Sequence, residues 1–247
     1  MAGRIAYYGG IVRDGLIFDL DAAKLDSYPR TGILWSDVSG NRYIGSLING
    51  PTFSSDNGGL FFNGINSYIS VPGINTNNEY IWTPNNSVGS SILCYEIWFR
   101  TSDPTGYFIS KPWNGSGQYN FSVTPSRFRL ESGVSGTTAA EISLSSLTNN
   151  TWKQLVIWAN STTMGYYVNG ITQTGSTLHN LTGGTPSSGN ANLTLVINSL
   201  YPYGEGWAGN TNFSISGNTN IVRRYNKILT SQQVLQNYNA TKGRFGL

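Results

Sequence analysis

The sequence predicts an all-β fold, specifically a two-sheet antiparallel jelly-roll sandwich that carries one short C-terminal helix. Three observations predict it. The chain contains 30 glycines and many β-branched, Ser and Asn residues, which disfavour helices. Apolar and polar residues alternate with a period of two in many short segments, as half-buried strands require. Apolar residues make up 38% of the 247 residues and aromatic residues 13%, enough to form a large core.

Each predicted strand is a short segment bounded by Gly, Pro, Asn or Ser. The segments are Gly15–Asp21, Gly59–Asn63, Ser67–Val71, Ile92–Thr101, Tyr119–Val123, Arg127–Glu131, Thr151–Ala159, Met164–Asn169, Leu193–Ile197 and Ile221–Tyr225. The dipeptides Asn63-Gly64 and Asn169-Gly170 accommodate positive φ angles, so each predicts a tight β-hairpin. The polar segments 74–90 and 181–192 predict surface loops. We expect Trp152 to lie in the core, on a central strand.

The end of the chain has a helical pattern. Thr230 and Gln233 have the spacing of a capping box, in which each side chain satisfies a free amide of the first turn. Three apolar residues then recur at the spacing of one helical face: Val234, Leu235 and Tyr238. Gly243 is expected to end the helix.

No break in composition marks a linker, so residues 1–247 are predicted to form a single domain with a short N-terminal arm of about residues 1–14. The formal net charge is +3 and the basic residues are dispersed apart from a small cluster near the end of the chain, at 223–244, so nucleic-acid binding is not predicted. The longest apolar run, 155–159, is too short for a membrane helix. The first residues lack the pattern of a secretory signal, so we expect synthesis in a cytoplasm and release by a route such as lysis. Cys94 lies in an apolar segment and is interpreted as a buried, inert thiol.

Catalytic chemistry is not predicted. Asp19 and Asp21 are the only closely spaced acids on one strand face, and turn-forming aspartates explain them better than the carboxylate pair of a glycosidase. His179 lies in a polar loop without a metal-binding partner nearby in sequence, so no cofactor is expected. Asp37 and Asn41 flank a Gly turn whose oxygens suit calcium. Side chains that cap their own turn explain the same residues, and calcium is therefore not predicted.

Aromatic residues in polar loops are the candidate ligand-binding residues. With one adjacent amide they are Trp82, Trp113, Asn114, Tyr201, Tyr203 and Trp207. An aromatic ring can stack on the apolar face of a sugar while neighbouring amides and hydroxyls bind the sugar hydroxyls. Large rings in long loops also attach those loops to the domain or fill a subunit interface, and we favour this second interpretation.

Four parts of the chain together carry a family resemblance. They are the opening Gly15–Ala22, Ser27–Pro29, Trp35–Asn41, Gly45–Pro51 and Phe61–Ser70; the Glu-x-Trp strand at Glu96 and Trp98; the strand and hairpin Asn150–Val156 and Tyr166–Gly170; and the closing strand Ile221–Leu229 with the helix through Asn237–Gly246. The series resembles the laminin-G-like branch of the concanavalin A-like lectin/glucanase superfamily over nearly the whole chain. The segment 208–220 looks longer than the family's usual connection, so no family site is carried over there. The glucanase motif Glu-x-Asp-x-x-Glu is absent, because Ile-Trp-Phe follows Glu96, so the resemblance does not imply hydrolysis.

The opening and the ending also resemble virion proteins encoded by tailed bacteriophages. This resemblance implies a non-enzymatic virion structural protein, either a capsid decoration protein or a component of a tail or head fibre, assembled in the host cytoplasm and released by lysis. Its expected partners are other virion proteins, in a homo-oligomer or multi-copy assembly, with a host surface glycan as a further ligand. Two alternatives stay open: a carbohydrate-binding, lectin-like module of a bacterial or viral surface, and a glycoside hydrolase with carboxylates from separate strands.

Overall fold

A computed structural model describes residues 10–55, 58–72, 92–113, 118–131, 138–145, 147–160, 163–174, 176–177, 194–200 and 213–247. The strands of these residues are, in chain order, β1 (Leu16–Asp21), β2 (Leu34–Ser36), β3 (Ile44–Ile48), β4 (Thr52–Phe53), β5 (Leu60–Asn63), β6 (Tyr68–Val71), β7 (Leu93–Arg100), β8 (Ile109–Trp113), β9 (Gln118–Val123), β10 (Arg127–Glu131), β11 (Thr138–Ser143), β12 (Lys153–Ala159), β13 (Thr163–Val168), β14 (Ile171–Thr172), β15 (Ser176–Thr177), β16 (Leu195–Ile197) and β17 (Ser216–Tyr225). The helix α1 spans Ser231–Thr241 and continues directly into a 3-10 turn, Lys242–Phe245.

The strands form two antiparallel sheets. The order in the first, sheet A, is β14-β13-β12-β7-β17-β5-β4, with β1 also paired to β17 and β15 to β13. The order in the second, sheet B, is β11-β10-β9-β8-β16-β6-β3-β2. The predicted all-β sandwich with one short C-terminal helix is therefore confirmed.

Strand β7, at the centre of sheet A, is buried on both faces. Its core side is formed by four apolar residues: Leu93, Tyr95, Ile97 and Phe99. The residues between them, Cys94, Glu96 and Trp98, face away from sheet B and are also buried. We call this second side of sheet A, where α1 and the 3-10 turn pack on it, the covered face. It contains an apolar cluster under α1 around Val234 and another under the turn around Phe245.

The predicted strands all overlap strands of the structure, with small differences at their ends. Seven further strands were not predicted: β2, β3, β4, β8, β11, β14 and β15. Several of them have only two or three residues and therefore too few positions to show a period. Strand β17 begins at Ser216, five residues before the predicted start, since pairing with β5 and β7 stabilises the segment Ser-Gly-Asn-Thr-Asn, which has low β propensity.

The two Asn-Gly dipeptides have different outcomes. Asn169 and Gly170 have φ angles of 51° and 80° and connect β13 to its partner β14, as predicted. The hairpin predicted at Asn63-Gly64 is wrong, because β5 belongs to sheet A and β6 to sheet B. The Asn63 side-chain oxygen accepts hydrogen bonds from the backbone amides of the next turn, and the chain changes sheets there. The dipeptide forms a turn in both places, but only one of the two turns closes a hairpin.

The C-terminal helix begins as predicted. The Thr230 hydroxyl accepts from the Gln233 amide at 3.2 Å, and the Gln233 side chain accepts from the Thr230 amide at 3.0 Å. Its buried face differs from the prediction, because Leu235 is 46% exposed and the buried residues are Val234, Asn237 and Thr241. The predicted end is also wrong: Gly243 lies inside the 3-10 turn, and the left-handed residue is Gly246 with φ of 71°. A buried polar residue, Asn237, interrupts the apolar periodicity on which the prediction depended.

Two parts of the prediction are not tested by the structure. The predicted loops at 74–90 and 181–192 lie outside the described residues. The bounds of the single domain and its N-terminal arm stay a prediction, although Val12 is buried and belongs to the cluster around Val234.

Trp152 is buried, but not where the sequence predicts. It precedes β12 and packs on the covered face, with its ring centroid 4.5 Å from that of Phe245. Trp98 stacks on the same Phe245 ring, with the two ring centroids 4.7 Å apart. The cavity that a Trp152→Ala substitution would leave lies under the 3-10 turn, not between the sheets.

We expect Trp152→Ala to lower the free energy of unfolding by about 3–5 kcal/mol, because it removes a buried aromatic side chain. Urea unfolding followed by circular dichroism measures the change. Ile171→Ala, at a side chain that is 65% exposed, is the matched control and should change stability by less than about 0.5 kcal/mol. Equal stability of Trp152→Ala and the unmodified protein would contradict the packing described above.

Candidate functional site

The covered face contains a row of charged residues across three strands. Asp19 on β1 pairs with Arg223 on β17, which in turn pairs with Glu96 on β7. The Arg223 guanidinium donates to Asp19 at 2.8 Å and to Glu96 at 3.1 Å, and all three side chains are at most 2% exposed. Burial lowers the pKa of Arg223, but Glu96 and Asp19 outweigh it and raise that pKa above its ordinary value. The guanidinium therefore stays charged between two carboxylates.

The Glu96 carboxylate is saturated with hydrogen bonds. Among the described residues, its donors are Trp98 Nε1 at 2.9 Å, Gln154 Nε2 at 2.9 Å, Arg223 Nη1 at 3.1 Å and Asn237 Nδ2 at 2.6 Å. Asn237 comes from α1, so the carboxylate attaches the helix to the sheet. The Asn237 side-chain oxygen also accepts from the Val12 amide at 2.7 Å, which holds the N-terminal segment in the same place.

Asp21 attaches the 3-10 turn. Arg244 donates to its two carboxylate oxygens at 2.7 and 3.0 Å, and Lys24 lies 3.4 Å away. Burial raises the pKa of Asp21, but the hydrogen bonds and charge of Arg244, with the charges of Lys24 and Arg223, lower it below the ordinary value of 3.8. The Asp21 carboxylate also accepts from the Ala23 amide at 3.2 Å.

These contacts decide between the two interpretations of Asp19 and Asp21. A glycosidase needs one carboxylate that protonates the leaving group and another that faces the sugar. Both aspartates instead lie on the covered face, each bonded to an arginine. The turn interpretation is correct in part, since Asp21 caps the turn after β1, but the main role of both residues is to form buried ion pairs.

An open cavity of about 500 Å³ lies on the same side of sheet A, near β4 and β5. A row of paired residues from four strands forms part of its lining: Thr52 on β4, Phe61 on β5, Asn218 on β17 and Arg100 on β7. Phe61 is 43% exposed, whereas its neighbours Leu60 and Phe62 point into the core. The row places an aromatic ring, an amide and a guanidinium next to one another on a surface that is open to solvent.

The wall of the cavity is formed where side chains after β7 bond to the backbone at the start of β17. The Thr101 hydroxyl donates to the Ser216 carbonyl at 2.5 Å, and Asp103 accepts from the Ser216 amide at 2.8 Å. At Gly217 a Cβ atom would lie 2.5 Å from the Arg100 carbonyl oxygen, so only glycine allows β17 to approach β7 this closely. This part of the lining is consequently built on two closely paired strands.

Trp152 and Asn218 are among the neighbours that orient Arg100. Its guanidinium carbon lies 5.6 Å from the centre of the Trp152 ring, and Nη2 donates to the Asn218 side-chain oxygen at 3.3 Å. Because Trp152 packs on Phe245, the cavity and the C-terminal turn share a structural support. This arrangement can bind a ligand through stacking and hydrogen bonds.

The comparison with known families agrees with this architecture. The profile of the laminin-G-type group described as the concanavalin A-like lectin/glucanases superfamily matches residues 75–235. The chain belongs to the concanavalin A-like superfamily. No curated protein matches the sequence significantly.

Three solved structures illustrate how the concanavalin A-like fold is used elsewhere. One is the binding domain of botulinum neurotoxin DC in complex with rat synaptotagmin II, with 17% identity, a TM-score of 0.64, and coverage of 93% of this chain and 52% of that chain. Another has 18% identity, a TM-score of 0.62, and coverage of 93% of this chain and 52% of that chain; its title states that cell entry of botulinum neurotoxin type C depends on interaction with two ganglioside molecules. The third is Trypanosoma rangeli sialidase, with 15% identity, a TM-score of 0.58, and coverage of 93% of this chain and 33% of that chain. The chain spans about half the length of the toxin domains, and identities this low show the fold alone.

The predicted ligand-binding residues are not tested by the structure and stay a prediction. Trp82, Asn114, Tyr201, Tyr203 and Trp207 lie outside the described residues, as does His179. The backbone of Trp113 ends β8 in sheet B, and its side chain lies outside the described part. The sequence analysis missed the Phe61, Asn218 and Arg100 row. The signal for Phe61 was its position between Leu60 and Phe62, which points an apolar ring away from the core.

The Asp37 and Asn41 side chains cap their own turn and also attach it to β1. The Asp37 Oδ1 atom accepts from the backbone amides of Asp19 at 2.8 Å and Ser39 at 2.7 Å, while Asn41 Nδ2 donates to the Ile17 carbonyl at 2.8 Å. In the described residues, no group of three or more His, Cys, Asp or Glu residues could hold a metal ion. The turn interpretation explains the contact with Ser39, and the other two contacts join the turn to β1. Calcium occupancy stays untested.

Two further predictions concern Cys94 and the membrane. Cys94 is fully buried, as predicted, and burial raises the pKa of its thiol to about 12, so the nucleophilic thiolate is scarce at neutral pH. No helix of the described residues is long and apolar enough to cross a membrane.

We expect Asp21→Asn to lower the free energy of unfolding by about 2 kcal/mol at pH 7, because the substitution removes the charge that binds Arg244. The Asp21 pKa is lower in the folded protein, so its contribution is complete above the ordinary value of 3.8 and is lost as the pH falls through the folded value. The difference between the two proteins should therefore shrink in acid. Urea unfolding at several pH values from 7 to 2 measures it.

Asp26→Asn, at an exposed aspartate, is the control and should change stability little at any pH. An Asp21→Asn difference that stays constant down to pH 2 would contradict the ion pair as the source of the stability.

Proposed function

We propose that this protein is a non-enzymatic, lectin-like binding domain and that it binds carbohydrate in the open cavity of sheet A. The observation that carries the proposal is the row of Phe61, Asn218 and Arg100 on the solvent side of three paired strands.

Phe61 supplies the apolar part of the site. Its ring is 43% exposed in a strand whose other apolar residues are completely buried. The C–H groups on one face of a sugar ring form an apolar surface, and an aromatic side chain packs against such a surface. A carbohydrate would cover Phe61 without needing a deep pocket.

Asn218 supplies a directional hydrogen bond. The residue is 8% exposed, and its side-chain oxygen accepts from Arg100. Its amide nitrogen has no partner among the described residues, so that group can donate to a ligand hydroxyl. Thr52 and Ser102 add hydroxyl groups to the lining.

The lining is suited to binding and not to hydrolysis. None of the described residues that line the cavity is an acid or a histidine. This part of the chain therefore supplies neither the general acid nor the nucleophile of a glycosidase. The carboxylates Asp19, Asp21 and Glu96 are bonded to basic groups on the covered face.

The similar toxin domains support a binding role. Their titles describe a complex with rat synaptotagmin II and an interaction with ganglioside molecules. The aromatic residues predicted from the sequence, among them Trp82, Trp113 and Trp207, would extend the surface available to a glycan. They stay candidates of this proposal.

An attachment role on a virion is the second candidate. It is supported by the resemblance to bacteriophage virion proteins and by exposed apolar side chains near the edge of sheet B. Ile33, Leu34 and Ile44 are 65%, 50% and 45% exposed, at and next to strands β2 and β3. A patch of this kind is typical of protein contact surfaces. We propose that this edge binds a neighbouring virion protein while the cavity binds glycan.

We expect the protein to bind a subset of carbohydrates on a glycan array. Phe61→Ala should weaken that binding about tenfold or more, because it removes the stacking surface at the centre of the site. Ile171→Ala removes a similarly exposed apolar side chain at the opposite edge of sheet A and should leave binding unchanged. An array without binding, or equal affinities of Phe61→Ala and the unmodified protein, would overturn the carbohydrate proposal.

We expect mass spectrometry of purified phage particles to detect this chain in stoichiometric amounts. Its absence from particles that are otherwise complete would contradict the virion role and leave the carbohydrate proposal standing.

A further inference from the structure

We infer that the N-terminal segment Gly10–Asp14, the anchor segment, is exchanged between copies of this chain. The site that holds the segment also takes the same segment of a second copy, and the exchange joins neighbouring copies. This inference concerns assembly and does not depend on the carbohydrate proposal. It rests on the contacts of Val12 and on the turn that follows the segment.

The anchor segment is bound in the manner of a peptide ligand. The Val12 amide donates to Asn237 Oδ1 at 2.7 Å, and the Val12 carbonyl accepts from the Tyr225 hydroxyl at 3.2 Å. The Val12 side chain is 6% exposed and packs in the cluster around Val234. The segment belongs to no strand or helix, so side chains hold it and no β ladder does. Main-chain hydrogen bonds combined with a pocket for a side chain are the usual means of peptide recognition.

The polar groups of this site are positioned by residues outside the anchor segment. The Asn237 amide nitrogen donates to Glu96 at 2.6 Å and to the Tyr225 hydroxyl at 2.9 Å, which turns the Asn237 oxygen toward Val12. Burial raises the pKa of the Tyr225 hydroxyl, so this group stays a donor. An empty site would deprive the buried Asn237 oxygen of the Val12 amide, and an unsatisfied buried acceptor is unfavourable. The site is therefore formed by the rest of the domain and favours an occupant.

The turn between the anchor segment and β1 is short. It is closed by a hydrogen bond from the Leu16 amide to the Arg13 carbonyl at 3.0 Å. Gly15 has a φ of 77°, and a Cβ atom there would lie 2.7 Å from the Asn226 side-chain oxygen, so the turn requires glycine. Glycine also adopts extended angles readily, and short hinges of this kind favour exchange between copies.

Opening this turn removes few contacts. Among the described residues, the contacts that are lost include the hydrogen bond that closes the turn and the exposed ion pair of Asp14 with Lys227. The buried contacts of Val12 form again in the second copy, because its site is identical. Exchange of an identical element is for this reason an accessible route to dimers.

The length of the connection decides which copy can be reached. Four residue steps separate Leu16 from Val12 and span at most about 14 Å, so the second copy must lie directly against the beginning of β1. A tether this short holds the segment near its own site at an effective concentration of about 1 mM. Dilute copies therefore keep their own segment. Exchange requires copies packed side by side, as in the multi-copy assembly expected from the sequence.

Gly15→Pro tests the inference, because proline cannot adopt a φ of 77° and favours an extended conformation of the residue before it. The anchor segment then leaves its own site, and we expect the molar mass measured by light scattering to double relative to the unmodified protein. Circular dichroism establishes that the variant is folded. Gly32→Pro is the matched control: it makes the same change at an exposed glycine with φ of 85° and should leave the molar mass unchanged.

A second substitution identifies the site through which the copies are joined. Val12→Asp places a charge where an apolar side chain is buried, so the anchor segment cannot dock. Combined with Gly15→Pro, it should return the molar mass to that of the unmodified protein.

A peptide measurement keeps the inference testable if Gly15→Pro does not fold. The Val12→Asp chain has an intact site without its own occupant. The blocked peptide Gly-Ile-Val-Arg-Asp, which is residues 10–14, should bind to it in isothermal titration calorimetry. The same peptide with aspartate in place of the valine should bind at least about tenfold more weakly.

Three results would overturn the inference. The first is a folded Gly15→Pro protein with unchanged molar mass. The second is a Gly15→Pro dimer that Val12→Asp does not dissociate, since the copies would then be joined by another contact. The third is equal binding of the two peptides, or binding of neither, because the site would then not recognise the segment of a separate chain. None of these results bears on binding to the glycan array.

Discussion

A single arginine, Arg223, holds the covered face of sheet A together. It lies between Asp19 and Glu96, on three adjacent strands, with almost no access to water. Charges buried in this way are stable only when every one of them is paired and hydrogen-bonded, since loss of one partner leaves an uncompensated charge. Trp98, Gln154 and Asn237 complete the set of donors. The position of α1 therefore depends on this row, because Asn237 belongs to the helix.

The helix and the 3-10 turn cover one region of this side of sheet A, and another region is open to solvent. Trp152 lies between the two regions. On one side of Trp152, Phe245 and the 3-10 turn exclude water from the sheet. On the other side, Arg100 stacks on the ring and faces the cavity. The carboxylates lie in the closed region and the exposed aromatic ring in the open one. Among the described residues, the acids of this side are therefore committed to ion pairs under the helix and the turn, and none of them lines the cavity.

The fold class follows from local patterns, which is why the sequence predicts it well. Alternation in β7 and the dipeptide Asn169-Gly170 need only neighbouring residues to be interpreted. Asn63-Gly64 has the same local chemistry, but its two strands belong to different sheets, and pairing between distant strands decides that. The limit of prediction from sequence is clearest at the cavity, because Phe61, Arg100 and Asn218 are far apart in the chain and are brought together by strand register. No spacing in the sequence indicates such a site.

The long separation between Glu96 and its partners has a consequence for synthesis on the ribosome. Arg223 follows Glu96 by 127 residues and Asn237 follows it by 141. At a translation rate of 5–20 residues per second, Arg223 and the helix are synthesised roughly 6–30 s after Glu96. During that interval the nascent chain exposes Trp98 and an unpaired acid on an incomplete sheet. Chaperones that shield such a surface would therefore govern the yield of native protein, and slower translation would lengthen the period of risk.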